Sequence, residues 1–283
     1  MKPSCLARRL AVLPLLLGCL LPTGAVTLRA AEAVDPLDYF KRHLFPLEPM
    51  YFIAGPKTPN ARFQISFKYQ LVDSGSRLAG WSGQATNFYV GYTQTSFWHW
   101  NRLSAPFEDN NYKPEFHYLW PGLTKLGGHD LSLSVQAGVQ HESNGRDGTS
   151  SRSLNMAYVR PRLLFGEPGG WQASFAPGPV VYLGDLGDNP DLPRYRGYGD
   201  VRLVLGKTDS VQLATIARIG NRADRGSVQL DLSYPMNKLI GGGLTWYLHG
   251  QFFTGYGESF LRYRERDTAY RVGFSLYRES LSP

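Results

Sequence analysis

Three residues set the chemical question. His141, Ser143 and Asn155 are the types needed for a base, a hydroxyl nucleophile and an orienting group. A serine hydroxyl attacks poorly until a base takes its proton, and histidine titrates in the range where it can do so. Asn155 can accept a hydrogen bond from one imidazole nitrogen. That fixes the tautomer in which the other nitrogen is free to face Ser143. An amide does this without a buried negative charge, which suits a site beside hydrocarbon. Taken alone, His-x-Ser on a strand is more often an interfacial polar pair than a catalytic one, and Asn155 on the same face is what raises the catalytic reading. The loop that follows, Asn144 to Ser153, is rich in oxygen ligands. Calcium takes roughly six to eight oxygens from carboxylates, carbonyls, hydroxyls and water. Asp147, Ser151 and the Arg146 carbonyl are candidates, and an ordinary polar loop has the same composition. Asp188-Asn189-Pro190-Asp191 is a second acidic loop and reads as a turn.

These residues sit in period-two sequence. Leu131, Leu133, Val135, Ala137 and Val139 form one face of a strand, and continuing the count places His141 and Ser143 on it. Ser132, Ser134, Gln136, Gln140 and Glu142 form the other. In the next segment Asn155 shares parity with Ala157, Val159, Leu163 and Phe165, while Met156, Tyr158, Arg160 and Arg162 take the opposite face. Cross-strand neighbours approach within about 5 Å. A hairpin would therefore bring the three polar groups together on the apolar face.

The same alternation runs along the chain. Eleven segments show it, near 62–72, 86–100, 113–122, 130–143, 154–166, 171–184, 198–207, 211–221, 226–235, 244–257 and 268–279. Several have the length of roughly ten residues that a tilted strand needs to cross a bilayer. Short turns such as Lys207 to Ser210 alternate with longer loops at 101–112, 144–153 and 185–197. That asymmetry marks an outer-membrane barrel, whose strand number is even. Met50 to Ala54 supplies the missing first strand. The expectation is an all-β transmembrane antiparallel β-barrel of twelve strands, with both termini at one end. The apolar face touches lipid, so His141, Ser143 and Asn155 point outward near the outer leaflet. Phe97, Trp98 and Trp100 are expected in an aromatic girdle.

Composition agrees. The 283 residues include 31 Gly, 17 Tyr and 19% charged residues, which excludes disorder. Beyond the first thirty residues nothing approaches the roughly 20 apolar residues of a spanning helix. Residues 1–33 read as a secretory signal: Lys2, Arg8 and Arg9, then apolar Leu10 to Leu21, then Ala31-Glu32-Ala33. Leu16-Leu17-Gly18-Cys19 partly resembles a lipoprotein signal, but apolar residues continue beyond it. Both cysteines, Cys5 and Cys19, fall in this segment, so residues 34–283 can use neither disulfides nor thiol catalysis. Removing Lys2, Arg8, Arg9, Arg29 and Glu32 leaves 26 bases and 22 acids, a charge of +4. That mild, scattered charge argues against nucleic-acid binding.

With these residues in view, the chain resembles the outer-membrane phospholipase A family of Gram-negative bacteria. His141-Glu142-Ser143-Asn144-Gly145-Arg146, Ser151-Arg152-Ser153 and Asn155 match its signature in type and spacing. Tyr92-Thr93-Gln94, Pro106-Phe107, Asn111-Tyr112-Lys113-Pro114, Asp188-Asn189-Pro190-Asp191, Ser233-Tyr234-Pro235 and Gly255-Tyr256-Gly257-Glu258-Ser259 follow in the family's order. The resemblance implies calcium-dependent hydrolysis of phospholipid and lysophospholipid acyl esters (A1 and A2) by a homodimer. His141 would be the base, Ser143 the nucleophile and Asn155 the orienting residue. The Gly145 amide would form the oxyanion hole. Calcium ligands map onto the Arg146 carbonyl, Ser151 and the Ser104 carbonyl from the partner subunit, with Asp147 as the loop acid. Gln94 matches a dimer-interface glutamine. Rival readings are a lipid A deacylase, whose known forms are shorter and lack the Asn155 block, and a porin or structural barrel. A lumen holding Gln140, Tyr158, Arg160 and Arg162 is crowded for a pore.

Overall fold

The computed structural model describes residues 35–125 and 131–281. The expected signal, residues 1–33, lies outside the described residues. The strands run in chain order: β1 (Leu44–Pro46), β2 (Met50–Ala54), β3 (Ala61–Gln70), β4 (Phe88–Trp98), β5 (Phe107–Lys125), β6 (Leu131–Ser143) and β7 (Ser153–Phe165). They continue as β8 (Gln172–Leu183), β9 (Gly199–Gly206), β10 (Gln212–Ile219), β11 (Gly226–Pro235), β12 (Tyr247–Tyr256) and β13 (Arg266–Tyr277). From β2 to β13 each strand pairs with its sequence neighbours, and β13 pairs back onto β2. Twelve antiparallel strands therefore close a barrel, as expected, and closure removes every free edge.

The first strand is interrupted. β1 and β2 lie end to end along β3, with Leu44 opposite Tyr69 and Tyr51 opposite Gln64. Pro46 and Pro49 at the break cannot donate to a ladder. Side chains of β3 take over there. Ser66 Oγ accepts from the Glu48 amide at 3.0 Å, and Gln64 Nε2 donates to the Pro49 carbonyl at 2.8 Å.

Alternation sorts the two faces as the sequence implies. Ile65, Phe67, Val90, Phe116, Val139, Val159 and Val272 face outward and are exposed. Inward residues form a polar lumen. Tyr158 and Gln136 meet Glu115, which also contacts His117 at 2.7 Å. Arg160 pairs with Asp200, Arg202 with Glu48, and His249 with Asp231. Buried charges are tolerated only when paired in this way. Gln140, Tyr158, Arg160 and Arg162 all line the interior.

Three expectations need correction. β5 starts at Phe107, so the loop read as 101–112 shrinks to 99–106. Asp109 and Asn111 made that stretch look like loop, but both are buried lumen groups. Asp109 Oδ2 accepts from Ser259 Oγ at 2.7 Å and from the Leu261 amide at 2.9 Å. Phe97 is not in the girdle. It is fully buried, with the Arg62 guanidinium 5.3 Å from its ring centroid, while Trp98 faces out against Phe107 and Phe52. Finally, the connections at the end bearing the termini are not uniformly short. The β3–β4 connection spans 71–87 and carries α2 (Arg77–Trp81).

The last strand stops at Tyr277 and the chain turns into the lumen. Arg278 donates to the carbonyls of Lys207 and Ser210 at 3.0 and 2.7 Å, and Leu281 is buried with Leu164, Val204 and Ala214. At the opposite mouth the loops form a lid. Leu192 and Tyr195 of α3 (Leu192–Arg196) pack with Leu154, Phe260 and Tyr263.

Candidate active site

β6 and β7 place His141 directly opposite Asn155 and Ser143 opposite Ser153. His141 Nδ1 lies 2.9 Å from Asn155 Oδ1. A carboxamide oxygen only accepts, so Nδ1–H donates and Nε2 keeps its lone pair. Glu142 and Leu154, the residues between, are buried in the lumen. His141, Ser143 and Asn155 thus lie on the lipid-facing wall, close to the end opposite the termini. His141 and Ser143 are two residues apart, about 6.6 Å of strand rise. No hydrogen bond joins Ser143 to His141 among the described residues. Catalytic bonds of this kind often tighten only when substrate is present.

Behind the wall Glu142 anchors the strand. Arg196 Nη1 and Nη2 donate to its two oxygens at 3.1 and 3.0 Å, and Lys113 Nζ lies 3.9 Å away. This fork holds α3 against the site strand, and a bidentate pair fixes direction as well as distance.

The 144–152 loop is built around Asn144, which is buried. Its Oδ1 accepts from the Arg146 and Arg152 amides at 3.3 and 3.0 Å, and its Nδ2 donates to the Ser150 carbonyl at 2.9 Å. Gly145 takes φ 65°, and a Cβ there would lie 3.0 Å from the Tyr112 ring. The position therefore requires glycine. Its amide is exposed with no partner among the described residues, and the same holds for the Arg146 carbonyl.

Ser151 Oγ donates to Asp188 Oδ2 at 2.6 Å, and Ser153 Oγ reaches the same oxygen at 3.3 Å. Asn189, fully buried, accepts from the Ser153 amide at 3.1 Å. The stretch read as a turn is therefore a turn that delivers a carboxylate to Ser151, a pairing across 37 residues that no local signal carries. Asp147 is exposed, with no side-chain cap bond to the turn it precedes. Ser104 is exposed, and with Ala105 it occupies the left-handed region at φ 61° and 36°. Non-glycine residues rarely adopt it. The Ser151 hydroxyl with the Asp188 carboxylate, and the backbone carbonyls of this loop, offer only oxygen donors, the chemistry that a hard cation such as calcium takes.

A polar strip extends the site along the wall. Tyr92 hydroxyl donates to Gln94, Gln94 to Ser96 and Ser96 to Asn110 at 2.9, 3.1 and 2.7 Å. Gln94 shares its outward face with Phe88, Val90 and Tyr92, as parity implies.

Two outer loops meet at Asp191. Arg264 Nε and Nη2 donate to its Oδ1 at 3.0 and 2.9 Å, and the Tyr263 hydroxyl donates to the same oxygen. Burial pushes the Asp191 carboxyl up, but the hydrogen bonds from Arg264 and Tyr263 outweigh it and hold it below the usual carboxylate range.

A closed barrel with an apolar wall, a polar lumen and polar residues gathered on its lipid face is an integral outer-membrane protein of the hydrolase type. Residues 48–276 match the family described as phospholipase A1. Phospholipase A1 of Escherichia coli K12 is 32% identical over 217 residues, covering 76% of this chain and 68% of the relative. The Klebsiella pneumoniae enzyme is 31% identical over 218 residues, covering 76% and 69%. Among solved structures, outer-membrane phospholipase A from Escherichia coli superposes with a TM-score of 0.69 at 26% identity, covering 83% of this chain and 98% of that one. The Salmonella typhi outer-membrane phospholipase dimer with bound calcium gives 0.68 at 25%, covering 83% and 92%. The chain belongs to the phospholipase A1 family, and it is a carboxylic ester hydrolase of the outer membrane.

Proposed function

We propose that Ser143, His141 and Asn155 hydrolyse acyl esters of phospholipids and lysophospholipids, at both glycerol positions, on the lipid-facing wall. The observation that carries this is the 2.9 Å contact between His141 Nδ1 and Asn155 Oδ1 on a face where a structural barrel places apolar groups. Asn155 holds the imidazole with Nε2 toward Ser143. His141 takes the Ser143 proton as Oγ attacks the ester carbonyl. The Gly145 amide donates to the oxyanion, the kind of contact whose loss costs about 10²–10³ in rate. His141 then protonates the leaving alcohol, and water releases the fatty acid from Ser143.

Calcium, when bound, supplies positive charge and polarised water beside the oxyanion. The Arg146 carbonyl and Ser151 would hold it together with the partner subunit's Ser104. Asp188, already on Ser151, and Asp147 are the nearby acids. The dimeric, calcium-bound structure of the Salmonella typhi relative supports a calcium-loaded homodimer as the active state. The strip from Tyr92 to Asn110 gives the apolar wall polar groups for that contact. Substrate then enters sideways from the outer leaflet, and dimerisation gates access.

The test is fatty-acid release from mixed micelles by wild type and Ser143→Ala, each with calcium and with chelator. Release by wild type with calcium alone is expected. Equal release by Ser143→Ala would overturn the relay. Full activity of crosslink-free monomers would remove the dimer from the scheme.

A further inference from the structure

The barrel has a second lipid-directed feature at the end opposite the site. Helix α1 (Pro36–His43) precedes the first strand. It lies against the outside wall: the Phe40 ring stacks on Tyr69 with centroids 5.5 Å apart, and the His43 ring lies 5.8 Å from Tyr69. Tyr69 shares its outward parity with Phe63, Ile65 and Phe67. His43, buried, ties α1 to the β3–β4 connection, its Nε2 3.1 Å from Asp73 Oδ2.

Leu37 and Phe40 are three residues apart and share one helix face, and both are exposed, as is Leu44 at the start of β1. Leu78 and Trp81 of the linked α2 are exposed too, Trp81 by 88%. Single exposed apolar residues need no explanation. Five of them continuous with a lipid-facing wall do. Cations flank these groups. Lys41, Arg42 and Arg77 are all exposed; Lys41 reaches back to Asp38 at 3.7 Å, while Arg77 on α2 and the Arg42 guanidinium have no carboxylate partner among the described residues. Apolar groups with flanking cations define an interfacial segment. Tryptophan favours the same zone.

We propose that α1 and α2 form an anchor for the phospholipid headgroup layer of the leaflet at this end. Leu37, Phe40, Leu78 and Trp81 enter the acyl boundary, and Lys41, Arg42 and Arg77 meet lipid phosphates. The anchor sets the depth and tilt of the barrel, and so the height of the opposite end in its own leaflet. It is independent of the hydrolytic chemistry.

From Val34 onward the chain contains no cysteine. Leu37→Cys and Leu78→Cys can therefore be spin-labelled singly and reconstituted in phosphatidylcholine vesicles with chelator present to keep the lipid intact. Both labels should be several-fold less accessible to a water-soluble nickel chelate than a label at Arg222→Cys in the opposite loops. Adding phosphatidylglycerol should deepen the protection, and Lys41→Gln/Arg42→Gln/Arg77→Gln should abolish that gain. Labels as accessible as the Arg222→Cys control would overturn the proposal, and protection indifferent to lipid charge would overturn its ionic half. Trp81 gives a second reading without cysteine. Brominated phospholipid should quench wild type more than Trp81→Phe, and equal quenching overturns the anchor.

Discussion

Asn155 bonds His141 and not Ser143, so its worth to the proposed relay can be measured apart from that of Ser143. One neutral hydrogen bond is worth up to about 1.4 kcal/mol net, which corresponds to roughly tenfold in rate. Asn155→Ala should lower kcat by about that factor and leave KM for micellar lipid nearly unchanged. A loss as large as that of Ser143→Ala would show that Asn155 does more than orient the ring. The shared face of His141 and Ser143 was legible in the sequence because strand parity is a local property: counting by two from Leu131 reaches both. The Asp188 contact was not legible, since it joins two loops whose approach depends on the whole barrel. Phe97 was misplaced because aromatic neighbours in sequence were grouped without regard to parity, which sends Phe97 inward and Trp98 outward.

At the scale of the element, β6 presents a reactive wall and a charged back. Glu142 is 2% exposed and makes the bidentate contact with Arg196. Removing one member of a buried pair leaves the other charge uncompensated, at a cost of about 3–5 kcal/mol. Glu142→Gln should therefore lower stability to urea in lipid by about 3 kcal/mol, since it leaves both Arg196 and Lys113 without their carboxylate. The change lies on the face away from the chemistry. Activity of the folded fraction should fall far less than stability, and the reverse pattern would place Glu142 in the reaction. The same two-sidedness explains the misread start of β5. Near the rim, its inward groups are Asp109 and Asn111, so hydropathy shows no alternation where the strand begins.

The whole molecule is closed at both mouths by different means. At the site end, loops from three hairpins converge on Leu192, Tyr195, Phe260 and Tyr263, with Asp191 bound by Arg264 and Asp224 by Arg194. Asp191 is held below its ordinary range, so its contribution is fully present above the unfolded value of about 3.9 and is lost as pH falls through the lowered folded value. The lid should stay shut at neutral pH and loosen only under strong acid. Cleavage of the 257–265 loop by an acid-active protease should rise in that window. In Asp191→Asn the loop should be cut at every pH, and a wild type indifferent to acid would show that apolar packing alone holds the lid.

The interruption of the first strand has a mechanical meaning. β2 contributes only five residues, and a bulge between Ser275 and Tyr277 loosens its other border, while a second gap breaks the β7–β8 ladder between the Tyr158–Val180 and Leu163–Phe175 pairs. Side chains of Ser66 and Gln64 replace two of the missing stitches. A cylinder under stress tears along its thinnest line, and here that line joins the beginning of the described chain to its end. A tear that starts at this seam, two strands away from Gln94, parts the far flank first and leaves β6 and β7 joined by an unbroken ladder from Leu131–Phe165 to Ser143–Ser153.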